Sequence, residues 1–129
     1  MRSNKLLKIG LDIHSTIDDN PTLFQELGRL FVAAGHEVHV ITGAKWKKAK
    51  KDLIDCGFVS GIHYTHFFSI TDFHVSLGTH IEWDEEGSPH IDDEVWDRTK
   101  GDYASRICLD LMIDDHEVYG KYFNTPFRS

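Results

Sequence analysis

The sequence contains little cysteine and no long apolar run. Its two cysteines, Cys56 and Cys108, are far apart and lack a C-x-x-C spacing. We expect both to be small, reduced core residues, because a disulfide framework or a zinc site needs more closely spaced thiols. No stretch approaches the roughly 20 apolar residues of a membrane helix, so no membrane partner is predicted. Residues 1–8 are basic but lack the apolar core of a signal peptide, which predicts a cytoplasmic protein.

Positive charge is also scarce. The 14 lysines and arginines face 21 aspartates and glutamates, giving a net charge of -7 with the histidines neutral. Such a surface repels a phosphate backbone, so extended nucleic acid contacts are not favoured. The exception is one basic run, which we interpret as a solvated helix face, with a local nucleic acid contact left open. This run contains Lys45, Lys47, Lys48, Lys50 and Lys51.

Strand-like and helix-like segments alternate along the 129 residues. In order, we predict a strand at residues 6–13, a helix from residue 20 to 35, a strand at 38–41, a helix at 45–56, a strand at 61–70, a helix at 99–108, a strand at 109–113 and a short helix in the tail 116–129. This order predicts a single α/β domain over residues 1–129, a three-layer sandwich with a mainly parallel, Rossmann-like sheet.

Residues 71–96 interrupt the alternation. They contain candidate strands at residues 73–77 and 79–83 and a Gly-Ser-Pro turn at 87–89. We interpret this segment as an insertion that forms a short β-hairpin or flap.

Polar residues follow three of the predicted strands. Asp12 follows the first strand, Thr42 the second, and Asp114 and Asp115 the last. Because ligands of parallel sheets bind outside the carboxyl ends of the strands, we expect these side chains to share one edge. Asp can instead cap a following helix, and Thr42 can be a simple turn residue.

Four segments in this order resemble motifs of the haloacid dehalogenase-like superfamily. They are Asp12-Ile13-His14-Ser15-Thr16, Val40-Ile41-Thr42-Gly43, Thr99-Lys100-Gly101-Asp102 and Leu111-Met112-Ile113-Asp114-Asp115. The resemblance is to the small, uncapped type of this hydrolase superfamily and spans most of the chain. One position departs from the pattern, because His14 replaces the second aspartate of the first motif.

The resemblance implies roles for these residues. Asp12 is expected to attack phosphorus and form an aspartyl-phosphate, which water then hydrolyses. Thr42 is expected to donate a hydrogen bond to the phosphoryl group, and Lys100 to neutralise the nucleophile and the developing charge. From its sequence context alone, Lys100 can also be a solvent-exposed helix residue.

Mg2+ is the cofactor that the resemblance implies. Its expected ligands are Asp12, the backbone carbonyl of His14, and Asp114, with Asp115 acting directly or through water. Oxygen ligands of this kind suit the octahedral coordination of Mg2+. The ion also lets an anionic nucleophile approach a dianionic phosphate.

His14 leaves catalysis open. An imidazole can protonate a leaving group and deprotonate water, since it titrates near neutral pH. The same exchange can instead leave a slow site, and His14 can also be purely structural. We therefore expect a Mg2+-dependent phosphomonoester phosphatase, with a slow or inactive metal and phospho-ligand binding module as the alternative.

The absence of a large cap favours an open site. The phosphorylated substrate can then be a small molecule or an exposed macromolecular phosphate; a nucleic acid end is possible but not favoured. The sequence leaves the natural substrate and the oligomeric state undetermined.

Overall fold

The computed structural model describes residues 5–129, so the first four residues of the basic start lie outside the described residues. The helices are α1 (Pro21–Ala33), α2 (Trp46–Asp55), α3 (Ile70–Leu77) and α4 (Asp93–Ile107), followed by a 3-10 helix at Glu117–Tyr122. The strands are β1 (Lys8–Leu11), β2 (Glu37–Thr42), β3 (His66–Ser69), β4 (Glu82–Trp83), β5 (Pro89–His90), β6 (Leu111–Ile113) and β7 (Phe127–Arg128).

Five strands form one parallel sheet in the order β3-β2-β1-β6-β7. The chain moves outward from β1 through β2 to β3, then returns to the other side of β1 with β6. The strand order therefore reverses between β1 and β6, which creates a crevice at their carboxyl ends. The predicted α/β class with a parallel sheet is confirmed.

Helices cover both faces of this sheet. Along β2, Val38 and Val40 point into one hydrophobic cluster, and Ile41 points into the other, as the two-residue period of a strand requires. Residues of α1 and α2 complete the first cluster, and residues of α3 and α4 complete the second. The two cores hold the sheet between helical layers, as in a Rossmann-like sandwich.

Local signals explain where the helices begin. The side chain of Asn20 accepts a hydrogen bond from the Leu23 N–H at 3.3 Å, and Pro21 occupies the first turn of α1. The side chain of Asp92 accepts one from the Val95 N–H at 3.2 Å, so α4 begins at Asp93 and not at the predicted residue 99.

The predicted strand at residues 73–77 is wrong, because this segment lies in helix α3. Apolar and polar residues alternate there, which is typical of a strand, but the buried residues Ile70 and His74 have helical spacing. Ser69 caps the helix by accepting from the Asp72 N–H at 3.1 Å. Gly78 ends it with a positive φ of 73°.

Other strands are shorter than predicted. Residues 61–70 contribute only β3, because residues 59–64 fold into turns closed by hydrogen bonds such as that from the His63 N–H to the Val59 carbonyl, 2.8 Å. Residues 79–83 contribute only β4, and the last predicted strand begins at Leu111. The tail adds β7, which the sequence pattern did not predict; it pairs with β6.

Within residues 71–96, β4 and β5 form an antiparallel hairpin. Asp84 holds its turn, because one carboxylate oxygen accepts from the N–H groups of Glu86 and Ser88, both at 2.9 Å. The tip of this hairpin faces the carboxyl edge of the parallel sheet, where it lines the cavity described below.

Candidate active site at the carboxyl edge of the sheet

Three predicted residues stand at the ends of adjacent strands. Asp12 directly follows β1, Asp114 directly follows β6, and Thr42 is the last residue of β2. The Asp12 N–H donates to the Ile113 carbonyl at 3.0 Å, which continues the sheet pairing to the point where the two carboxylates diverge. The placement follows from the parallel order β2-β1-β6.

Lys100 joins the two carboxylates. Its ammonium lies 2.6 Å from a carboxylate oxygen of Asp114 and 3.3 Å from one of Asp12. Lys100 itself belongs to helix α4 and not to one of the strands that carry the two carboxylates. The Lys100 side chain is 2% exposed, and its Nζ also lies 4.5 Å from the centre of the Tyr119 ring. A solvated helix lysine would not have these contacts, so the alternative of an exposed Lys100 is wrong.

Burial changes the titration of this cluster. It raises the pKa of the Asp12 carboxyl, an effect that the nearby Lys100 ammonium opposes and the Asp114 carboxylate reinforces. Burial alone would lower the pKa of Lys100, but the charges of Asp12 and Asp114 raise it above its ordinary value. With all three groups ionised, two carboxylates and one ammonium leave a net charge of -1.

This charge and these donors fit a divalent cation. The side chains of Asp12, Asp114 and His116 each place one donor atom within 4.8 Å of the others. Two buried carboxylates are the oxygen ligands that Mg2+ prefers. Asp12 and Asp114 would hold the ion, with the exposed imidazole of His116 at its side.

Asp115 and His116 differ from the prediction. Asp115 is exposed, and within residues 5–129 the cluster of candidate metal ligands at this edge contains Asp12, Asp114 and His116 but not Asp115. His116, which the sequence reasoning missed, lines the cavity. Its backbone N–H donates a hydrogen bond to a carboxylate oxygen of Asp114 at 2.9 Å. The only signal for it in the sequence is its position two residues beyond Asp114.

His14 lies in a strained turn. The backbone of Ile13–Ile17 is closed by a hydrogen bond from the Asp18 N–H to the Ile13 carbonyl, 3.0 Å. Ser15 has a φ of +62°, a conformation that residues other than glycine rarely adopt and that often marks functional sites. The turn brings the His14 ring to the cavity, where its Nε2 lies 2.8 Å from a carboxylate oxygen of Asp52.

Thr42 is held rigidly at the cavity. Its side chain is buried, and its hydroxyl oxygen accepts from the Ala44 N–H at 3.3 Å. The following Gly43 carbonyl accepts from the Thr71 hydroxyl at 2.6 Å, which fixes the loop after β2. Within residues 5–129, no hydrogen bond uses the Thr42 hydroxyl proton, which is therefore available to a ligand.

A cavity of about 930 Å³ is lined by Asp12, His14, Thr42, Lys100 and His116, while the fully buried Asp114 contacts Lys100 without lining the cavity itself. Asp12, Thr42 and Lys100 form its floor, and the turn of the β4–β5 hairpin and the basic side of α2 form walls. A single phosphate fills a small part of this volume. The cavity therefore has room for the rest of a substrate.

A second cluster of histidines and a carboxylate lies at the start of β2 and β3. Glu37 Oε1 is 2.8 Å from His39 Nε2, and the rings of His39 and His66 stack at 4.3 Å. The hydroxyl of Tyr103 lies 2.9 Å from His39 Nδ1. These groups bind one another at the edge opposite Asp12 and do not belong to the candidate active site.

Comparison with known protein families, curated proteins and solved structures finds no match. The fold and the site define an α/β protein with a charged crevice at the switch point of a parallel sheet. Within residues 5–129, no helix has the length and apolar character needed to cross a membrane.

Proposed function

We propose that the protein is a Mg2+-dependent phosphomonoester phosphatase of the haloacid dehalogenase-like type, which acts through an aspartyl-phosphate on Asp12. The observation that carries this proposal is the buried contact of Lys100 with both Asp12 and Asp114. Burying an ammonium and two carboxylates costs several kcal/mol of desolvation unless they pair well, so a purely structural purpose is better served by apolar residues.

In the proposed reaction, a carboxylate oxygen of Asp12 attacks phosphorus while the bond from phosphorus to the leaving oxygen breaks. Water then attacks phosphorus, which releases inorganic phosphate and restores the Asp12 carboxylate. Lys100 orients Asp12 and offsets the charge of both carboxylates, and Thr42 donates a hydrogen bond to a phosphoryl oxygen. Asp12 and Asp114 would hold Mg2+, which would supply the positive charge that lets an anionic nucleophile approach a phosphate dianion.

His14 is suited to move the proton. His14 lines the cavity, and its Nε2 pairs with Asp52, which fixes the ring orientation; within residues 5–129 no hydrogen bond involves its Nδ1, which is free to exchange a proton. From Nδ1 the ring protonates the leaving alkoxide and then accepts a proton from the attacking water. Lys48 also donates to Asp52 at 3.0 Å, so the orienting carboxylate is itself held.

The test is phosphate release from aryl, sugar, nucleotide and oligonucleotide phosphomonoesters, with and without Mg2+. We expect Mg2+-dependent turnover that Asp12→Asn abolishes. Asp102→Asn, which removes an exposed carboxylate of α4, is the matched control and should retain turnover. Absence of turnover on every substrate, with phosphate and Mg2+ still bound, would replace the phosphatase by a phospho-ligand binding module.

A further inference from the structure

The basic run of the sequence forms one wall of the candidate active site. Lys45, which directly precedes α2, and three lysines of the helix itself, Lys47, Lys48 and Lys51, line the same cavity as Asp12. Lys50 points elsewhere and borders a separate shallow groove. All five lysines of the run are exposed, as the predicted solvated helix face requires, and four of them also line the cavity.

The cavity is positive although the protein is negative. Within residues 5–129, five lysines, including Lys100, line it together with the carboxylates of Asp12 and Glu86. With Asp114 and Asp52, which pair with Lys100 and Lys48, the site holds five ammonium groups against four carboxylates and carries +1 with histidines neutral. The whole chain carries -7. Concave walls of one charge sign concentrate ligands of the opposite sign.

Two of these lysines are free to bind a ligand. Lys48 pairs with Asp52, and Lys45 lies 4.5 Å from the ring centre of Trp83 on the hairpin. Within residues 5–129, no carboxylate oxygen lies within 4.0 Å of the amine of Lys47 or Lys51. These two lysines are four positions apart on α2, so they lie one turn apart, about 6 Å along the axis.

The scissile phosphate does not account for this wall. Asp12, Asp114, Lys100 and one Mg2+ sum to a charge of +1, which a phosphate dianion already exceeds. The lysines of the wall add positive charge beyond that balance. Their presence indicates that the substrate carries negative charge beyond its scissile group.

We propose that the site binds a phosphomonoester that carries at least one further phosphate group, which Lys47 and Lys51 bind. The inference rests on the proposed function, and it names the substrate class of the same cavity. A bisphosphorylated small molecule and the phosphorylated end of a short oligonucleotide share this chemistry.

Binding without turnover tests the proposal. In the Asp12→Asn background with Mg2+, titration calorimetry compares fructose 1,6-bisphosphate with fructose 6-phosphate. We expect the bisphosphate to bind about tenfold more tightly, since a charge-assisted contact contributes roughly 1.5 kcal/mol. Lys47→Gln with Lys51→Gln should abolish this preference. The control of equal charge, Lys50→Gln with Lys121→Gln, should retain it.

Equal affinity for the two sugar phosphates and equal affinity for a phosphorylated and an unphosphorylated tetranucleotide would overturn the proposal. A preference that survives Lys47→Gln with Lys51→Gln would overturn it as well. Tight, salt-dependent binding of the phosphorylated tetranucleotide, lost in the same double variant, would support it and identify a nucleic acid end as the source. Lysine-dependent binding in a protein without phosphate release would support the inference while contradicting the phosphatase.

Discussion

His14 replaces an aspartate of the resembled motif, and its Nε2 lies 2.8 Å from a carboxylate oxygen of Asp52. A histidine oriented by a carboxylate is a common arrangement for proton transfer. We predict that His14→Ala lowers turnover by roughly 100 to 10,000-fold. The loss in kcat/KM, which reports formation of the aspartyl-phosphate and not its hydrolysis, should be larger for glycerol phosphate than for 4-nitrophenyl phosphate, because an alkoxide needs a proton to leave and a nitrophenolate does not.

This comparison separates proton transfer from a structural role. Both substrates are measured at saturating Mg2+, beside His80→Ala as a control histidine that is exposed and lies outside the cavity lining. An equal loss of kcat/KM on the two substrates would contradict the role of His14 as the acid, because damage to the Ile13–Ile17 turn would affect both alike.

The sequence predicts that Asp12 and Asp114 lie together at the carboxyl edge of the sheet, but it does not predict the contribution of His116 beside them. Asp12 and Asp114 directly follow parallel strands, so their positions depend only on the order of the sheet. The choice between Asp115 and His116 depends on the turn after β6, where the Asp114 side chain accepts the His116 N–H and brings that residue to the cavity. Local turn geometry of this kind has no periodic signal in the sequence.

Helix α4 reaches the active site through a close backbone contact. A Cβ atom built on Gly101 would lie 2.3 Å from the Tyr122 carbonyl oxygen, beside the buried Lys100. Alanine usually stabilises a helix interior by about 1 kcal/mol over glycine, but overpacking against backbone costs about 1 to 3 kcal/mol. We predict that Gly101→Ala lowers the free energy of unfolding and also lowers turnover, because α4 must shift and carries Lys100 with it.

Urea unfolding and phosphate release measure the two effects. Ser105→Ala on the exposed side of α4 has no such contact and should leave both within error of the parent. A Gly101→Ala protein as stable as the parent would mean that the 3-10 helix moves away at little cost, which would contradict tight packing between α4 and the 3-10 helix.

At the level of elements, the alternating order of strands and helices predicts the parallel sheet, but the pattern within short segments does not predict their secondary structure correctly. Helix α3 has the alternation of a strand over residues 73–77, and packing of Ile70 in the second hydrophobic cluster overrides that pattern. The two-residue strand β7 forms only because Phe127 pairs with Met112, a contact between segments that no local window contains.

Across the whole molecule, acid should weaken the fold in two steps. The raised pKa of Asp12 opposes this trend, because the folded chain takes up that proton more readily than the unfolded chain. Burial lowers the pKa of His39, His63 and His74, so in each case the unfolded chain binds a proton that the folded chain resists. Their contribution is complete above the unfolded value of about 6.5 and is lost as the pH falls below it. The pKa of Asp110 is lowered chiefly by the hydrogen bond from the Lys8 N–H, so its contribution is lost only at lower pH, below the ordinary aspartate value.

We predict that the urea midpoint of unfolding is lower at pH 5.5 than at pH 7.5. Both midpoints are measured in 0.15 M salt, because salt screens the repulsion among surface carboxylates that acidification would otherwise reduce. His39 should account for part of the loss. Burial lowers its pKa, the Glu37 carboxylate opposes that change, and His66 and Lys8 add positive charge, while the uncharged Tyr103 hydroxyl faces it from α4. His39→Gln should therefore narrow the difference between the two midpoints. A variant with the full pH dependence of the parent would mean that His39 takes up its proton in the folded protein as readily as in the unfolded chain.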